Sequence, residues 1–272
     1  GPGSAPGAYQ CRQTISGTKA GQYMTQLANG KVALVTGAAR RIGAAICCTL
    51  HAEGWNLIVH CHQSVAAAEA LADTLNQQRT NSAQVIQTDL NKIVDIQFLA
   101  TAAPAAWGRL DALVNNASSF YPTPIPDATE DQWNDLVGSN LKAPFFLSQM
   151  LYPALSQQHG CIINISDIFA VRPMPRHTIY SIAKAGNAMM TKSLALEMAP
   201  NVRVNGIAPG AILWPENEMG EEVTNHDKLQ QIPLGRLGGA QAIADTVRFL
   251  ITESSYITGQ IIAVDGGRSL QQ

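Results

Sequence analysis

Charged side chains are scarce in this sequence. Asp, Glu, Lys and Arg make up 14% of its 272 residues, against about a quarter in an average globular domain. Neither sign dominates, since 18 Lys and Arg face 20 Asp and Glu for a net charge of −2. A nucleic-acid binder needs a basic excess to neutralise phosphates, so that class is excluded. The five cysteines (Cys11, Cys47, Cys48, Cys61 and Cys161) are odd in number and form no CxxC pair. Adjacent Cys47 and Cys48 fall in an apolar helical run and read as small core residues. With no disulfide framework in the pattern, a reducing, cytoplasmic compartment is expected. No apolar run is long enough to cross a bilayer, so no membrane partner is expected. The histidines lack metal-ligand spacing, and no metal is expected.

What is present is apolar. At 46% hydrophobic residues the chain is too apolar for intrinsic disorder, and it is long enough to bury a large core unaided. Its low charge fits a surface partly covered by other subunits. Gly1–Ser4 reads as a protease-cleavage scar, and residues 1–29 as a flexible extension outside the fold. Residues 30–272 read as one domain.

From Lys31 onward, short apolar runs alternate with helical patterns. Strands are expected at Val32–Thr36, Trp55–Cys61, Gln84–Asp89, Leu110–Asn115, Cys161–Ser166, Val202–Ile207 and Gln260–Val264. Helices are expected at Ile42–Ala52, Val65–Gln78, Asn91–Ala106, Asp131–Ser156, Ile179–Met198 and Ala240–Thr252. Strands apolar throughout and separated by helices indicate a parallel sheet covered on both faces. The expected fold is a single doubly wound α/β domain of seven strands. Two Pro-containing segments, Ala117–Ala128 and Ala211–Pro233, each follow the carboxyl end of a strand, where open parallel sheets bind ligands.

The turn Thr36-Gly37-Ala38-Ala39-Arg40-Arg41-Ile42-Gly43 joins the first strand to the first helix. Its glycines allow a tight turn and close backbone approach to a pyrophosphate at a helix N-terminus. An NAD site usually has an acid at the end of the second strand. Here no acid occurs between Glu53 and Glu69, and the strand ends His60-Cys61-His62-Gln63-Ser64. With Arg40 and Arg41 opposite, a 2′-phosphate would meet cations and hydroxyls, so NADPH is the expected cofactor.

Tyr180-Ser181-Ile182-Ala183-Lys184 begins a helix, and its i, i+4 spacing puts phenol and ammonium on one face. A nearby cation is expected to lower the phenol's pKa, so that Tyr180 passes a proton to a reduced substrate. Together with the Gly37–Gly43 turn, Asp89, Asn115-Asn116-Ala117, Asn140 and Pro209-Gly210, this resembles the short-chain dehydrogenase/reductase family from Lys31 to the end. The resemblance implies a Rossmann domain and a homotetramer. It implies that Asn140 holds a helix kink and a water leading to Lys184, that Asp89 and Leu90 flank the adenine, and that Lys184 grips the nicotinamide ribose. Asn116, Ala117, Ser118, Pro209 and Gly210 would line the cofactor.

One position departs from the family pattern. Thirteen residues before the tyrosine, where the usual catalytic serine stands, the chain has Asp167. Ser166 is one residue out of register, which along a strand turns a side chain to the other face. An ionised aspartate cannot donate to a ketone oxygen and would repel a developing oxyanion. Either Asp167 is protonated, or the substrate is not a simple ketone; a substrate with N–H donors and a C=N bond satisfies both options.

Asp167 with Tyr180 and Lys184 resembles the pteridine reductase branch, as do Arg41 at a turn position usually held by glycine, the stretch Asn115–Pro124, and His60–Ser64. That resemblance implies that Phe120 and the nicotinamide sandwich a flat pterin, with Arg41 and Ser118 touching pterin or cofactor phosphates. His62 and Ser64 would help hold the 2′-phosphate, and His60 counts among the cofactor-binding residues. An aromatic clamp on a heterocycle is physically sound, though Phe120 could equally be a core residue. Trp214 could wall the pterin side chain or serve a hinge or subunit contact. His177 reads as a solvated loop residue.

The expected activity is NADPH-dependent reduction of dihydropterins such as dihydrobiopterin or dihydromonapterin, and of dihydrofolate more weakly. A carbonyl reductase acting on 3-oxoacyl or sugar substrates, and a non-catalytic NADP(H) sensor, are the alternatives.

Overall fold

The computed structural model describes residues 30–213 and 226–270. Seven strands form one sheet: β1 Val32–Val35, β2 Asn56–Cys61, β3 Ala83–Gln87, β4 Ala112–Asn115, β5 Cys161–Ile165, β6 Arg203–Pro209 and β7 Ile261–Val264. Their order is β3-β2-β1-β4-β5-β6-β7, and every neighbouring pair is parallel. The helices are α1 Arg41–Ala52, α2 Val65–Gln78, α3 Ile93–Ala105, α4 Glu130–Val137, α5 Ala143–Gln157, α6 Thr178–Met198, α7 His226–Gln230 and α8 Gly239–Arg248. Among the described residues no helix is long and apolar enough to cross a membrane.

Strand alternation splits the core in two. Ala33, Val35, Leu57, Val59, Val114 and Ile163 face one side, packing with Ile46 and Leu50 of α1, Leu71 and Leu75 of α2, and Ile243 and Val247 of α8. Val32, Leu34, Ile58, Leu113 and Ile162 face the other, against Leu99 of α3, Leu147 and Leu151 of α5, and Met190 and Leu194 of α6. The strands are therefore buried on both faces, as their unbroken apolar sequences require. Because β1 lies between β2 and β4, the chain changes direction across the sheet there. The crevice at that switch point, outside the carboxyl ends, is where the two site-bearing turns meet.

Three expectations need correcting. The helix expected over Asp131–Ser156 is two helices, α4 and α5, joined by a π turn at Gly138–Lys142. Pro144 lies at the start of α5 and has no N–H for the carbonyl of Asn140 four residues back. Asn187 Nδ2 donates to that oxygen instead, at 3.0 Å. The last expected helix similarly ends in a π turn, Phe249–Glu253. Cys47 is a buried free thiol, as are Cys61 and Cys161, but Cys48 is half-buried and disulfide-bonded. It is therefore not the free core thiol the apolar pattern suggested.

Candidate active site

The turn after β1 is held from three sides. Gly37 has φ of 59°, and a Cβ there would lie 2.8 Å from the Cα of Ala117. At Gly43 a Cβ would meet the Cα of Ala38 at 2.8 Å. Only glycine allows the turn to fold this tightly against the end of β4. Asn116 Nδ2 donates to the carbonyls of Thr36 and Gly37 at 3.0 Å each, and Thr36 Oγ1 accepts from the N–H groups of Asn116 and Ala117, also at 3.0 Å.

His60 closes the third side. Its Nδ1 accepts from the Gly37 N–H at 3.1 Å and its Nε2 lies 3.2 Å from the Thr88 carbonyl. With both nitrogens engaged, the ring is neutral and donates from Nε2. Burial pushes its pKa down to about 4. The sequence placed His60 among the cofactor residues; it lines the cleft beside the turn, and as a buried, neutral ring bonded to backbone on both sides it also orders that turn.

A cleft of about 630 Å³ opens beside this turn, its wall including Gly37, Arg40, Arg41, Ile42 and Gly43. His62, Ser64, Asp89, Leu90, Asn116, Ala117 and Ser118 complete the set of expected cofactor residues brought there. Arg40 reaches across to the end of β2, its guanidinium donating to Ser64 Oγ at 3.1 Å. His62 Nε2 is 4.0 Å from Asp89 Oδ2. Arg41 has φ of 51°, the left-handed region that glycine prefers, and it lines both the cleft and the adjoining pocket. A glycine-built turn and a helix start beside the cleft fit a dinucleotide cofactor.

The adjoining pocket, about 370 Å³, is lined by Ser118, Phe120, Asp167, Tyr180, Lys184, Pro209 and Gly210, among others. Asp167 follows β5 and caps a short 3₁₀ turn, Ile168–Ala170, its Oδ1 accepting from the Phe169 N–H at 2.8 Å. Its Oδ2 accepts from the Tyr180 hydroxyl at 2.6 Å. Ser166 is 3% exposed, and its Oγ is buried without a hydrogen-bond partner. The carboxyl, not the neighbouring alcohol, is what the phenol meets.

Lys184 is buried one turn along α6 and donates to the Ile165 carbonyl at 2.9 Å. Burial lowers its pKa to about 8, with Asp167 opposing the shift. The same burial, partly offset by the Phe169 and Tyr180 hydrogen bonds and by the charges of Lys184 and Arg268, raises the pKa of Asp167. Tyr180 is raised well above the ordinary phenol value, by burial first and then by the charge and hydrogen bond of Asp167. The sequence expectation that Lys184 would lower it is thus reversed: Nζ sits 5.7 Å from the ring centroid, while a carboxylate touches the hydroxyl. Both Tyr180 and Asp167 are held toward their protonated forms and suit proton donation better than abstraction.

Asn140 stands at the middle of the π turn, as a kink position should. Its Oδ1 accepts from Ser118 Oγ at 2.9 Å, and its Nδ2 donates to the Ser119 and Leu136 carbonyls at 2.9 Å each. Its backbone oxygen accepts from Asn187 Nδ2 at 3.0 Å. Ser118 therefore braces Asn140 as well as lining both cavities.

Phe120 is 55% exposed, which rules out a core role. Its ring packs edge-on against Tyr180, 4.9 Å between centroids, and stacks on His177 at 4.8 Å and 13°. His177 is half-buried in this stack and not the solvated loop residue expected. Trp214 lies outside the described residues. Sequence reasoning missed Asn187 and Arg268, the second of which also lines the pocket, and named His177 without its contact to Phe120. A Gly-Gly-Arg tail was the only signal for Arg268.

A family model described as enoyl-(acyl carrier protein) reductase matches residues 37–269. The chain belongs to the short-chain dehydrogenase/reductase family. Pteridine reductase 1 of Leishmania tarentolae is 38% identical over 288 residues, covering 91% of this chain and 99% of that one. The 3-oxoacyl-(acyl-carrier-protein) reductases FabG of Thermotoga maritima and Escherichia coli are each 36% identical, covering 88% of this chain and 97% of theirs. This member of the family has a carboxyl in contact with its phenol.

Proposed function

We propose that this short-chain reductase reduces 7,8-dihydropterins to tetrahydropterins with NADPH. The observation that carries the reading is the Asp167–Tyr180 contact, a carboxyl and a phenol both biased toward holding protons beside an exposed aromatic ring. A pterin offers N–H and NH₂ donors to a carboxylate and a ring nitrogen that must gain a proton, whereas a simple ketone offers neither. Bound NADPH would supply the hydride. Gly37, Arg41, Ile42 and Gly43 would hold its pyrophosphate, Arg40 and Ser64 its 2′-phosphate, and Lys184 its nicotinamide ribose. Phe120 would hold the flat substrate ring in place, each such aromatic contact contributing about 0.5–1.5 kcal/mol beyond area burial. Tyr180, or Asp167 when protonated, delivers the proton. The likeness to pteridine reductase 1 over nearly its full length supports the same reading.

The second reading, a 3-oxoacyl reductase, draws on the FabG relatives. It requires a hydroxyl-like donor at Asp167, which only the protonated carboxyl provides. Following NADPH oxidation with dihydrobiopterin and with a β-keto ester separates the two. Turnover of the pterin alone is expected; good turnover of the keto ester with none of the pterin would overturn the proposal. A homotetramer belongs to the same proposal, supported by Trp133, Phe145, Ile182 and Met189 standing exposed on helices α4 to α6. Sedimentation tests it.

A further inference from the structure

The pocket beside Tyr180 carries a cation that the motifs leave without a role. Arg268 begins the short turn Arg268–Leu270 after β7, and it lines the same pocket as Asp167 and Phe120. Its backbone is set in advance. Asp265 accepts from the N–H groups of Gly267 at 2.9 Å and Ser269 at 2.8 Å, and the two glycines at 266 and 267 take φ of 62° and 89°. Burial pushes the Asp265 carboxyl up, but the Ser269 and Gly267 hydrogen bonds outweigh it and hold the group below its ordinary value. The turn is thus braced by an ionised carboxylate that points at backbone.

The guanidinium itself is only lightly engaged. One nitrogen donates to Gln231 Oε1, a neutral amide, at 2.9 Å. Among the described residues no carboxylate forms an ion pair with it. Asp167, the acid in this pocket, is committed to Tyr180 and Phe169. The wall of the same pocket includes apolar Met174, Leu213 and Leu237. A half-buried guanidinium with no carboxylate partner among the described residues, in a pocket with apolar lining, matches a substituent that ends in a carboxylate or phosphate.

We propose that Arg268 sets substrate choice by charge, favouring heterocycles whose side chain ends in an anionic group over those with neutral hydroxyls. This rests on the reading of the site as a dihydropterin reductase. The ring would lie by Phe120, an uncharged spacer along the apolar wall, and the anion at Arg268. The carboxylate and phosphate versions of the substituent are told apart by the substrates used.

The test compares the NADPH-loaded enzyme and R268Q on dihydrofolate, dihydroneopterin phosphate and neutral dihydrobiopterin. In R268Q the ratio of kcat/KM for the anionic substrates to that for dihydrobiopterin should fall about tenfold, with the loss in KM. R268K, which keeps the charge, should restore most of it. Larger loss for dihydrofolate assigns the site to carboxylates, and for the phosphate ester to phosphates. Should R268Q fold poorly, the wild-type enzyme still decides: KM for the anionic substrates rises with ionic strength while that for dihydrobiopterin does not. Good pterin turnover with an unchanged ratio and no such salt dependence overturns the role of Arg268 alone. Failure of the wild-type enzyme on every pterin overturns the proposed function and this inference with it.

Discussion

The hydroxyl of Tyr180 donates to Oδ2 of Asp167 at 2.6 Å, joining the start of helix α6 to the loop after strand β5. In water such a pair would ionise independently. Here both groups are largely withdrawn from solvent, which raises both pKa values; Asp167 raises that of Tyr180 further, while the Tyr180 hydrogen bond offsets part of the rise at Asp167. The result is a pair biased toward holding protons next to the ring of Phe120, with Lys184 one turn further along the helix.

Tyr180→Phe removes one of the two candidate donors without changing the ring. General acid catalysis contributes about 100- to 10,000-fold, so kcat on dihydrobiopterin should fall by at least 100-fold. The dissociation constant for NADPH, read by fluorescence titration, should change less than threefold. A variant retaining most of its kcat would move proton delivery to Asp167.

The reaction should slow as pH rises through about 8. Lys184 has its pKa lowered to that value by burial, so its positive charge is present below this pH and lost above it. The descending limb of kcat/KM should therefore sit near pH 8 and be absent in K184R, a slower variant whose cation does not titrate in that range. A wild-type profile flat to pH 10 would remove the charge of Lys184 from the mechanism.

Stability should weaken on acidification before most carboxylates protonate. His60 and His51 are both lowered to about 4 by burial, with Thr88 opposing at His60 and Arg79 adding to the shift at His51. Between pH 6.5 and 4 the unfolded chain binds protons that the folded chain refuses, so stability present above pH 6.5 is lost as pH falls. His60 alone accounts for about 3 kcal/mol across that window. His60→Asn should reduce proton uptake on unfolding at pH 5 by about one, measured from the pH dependence of urea midpoints. An unchanged slope would mean that His60 titrates normally in the folded protein.

Arg41 is held in the left-handed region, at a cost of about 1–2 kcal/mol to a non-glycine residue. Arg41→Gly should keep or raise the thermal midpoint while raising KM for NADPH about tenfold. A lowered midpoint with unchanged KM would show that Arg41 serves the fold and not the cofactor cleft.

The sheet was legible because burial on both faces leaves runs such as Val32–Val35 and Cys161–Ile165 with no polar alternation. The carboxyl at position 167 was legible too, since it depends on a count from Tyr180. What escaped was any feature set by tertiary contact. The break between α4 and α5 depends on Asn187 reaching the carbonyl that Pro144 leaves free. His60 and His62 look equivalent along the chain, yet His60 lies inside β2 and is buried against the Gly37 turn, whereas His62 follows the end of the strand and is exposed. The sign of the Tyr180 shift was misjudged because i, i+4 spacing reveals the lysine but neither the burial of the phenol nor its contact with Asp167. The stacking of Phe120 on His177 joins two loops that share no local pattern.

Replacing Asp167 with serine restores the family's usual hydroxyl and removes the carboxyl, so steady-state kinetics of Asp167→Ser on dihydrobiopterin test the central assignment most directly. The expected result is a loss of at least 30-fold in kcat/KM with NADPH affinity held within threefold, about 2 kcal/mol of transition-state stabilisation. Unaltered pterin kinetics in that variant would contradict it.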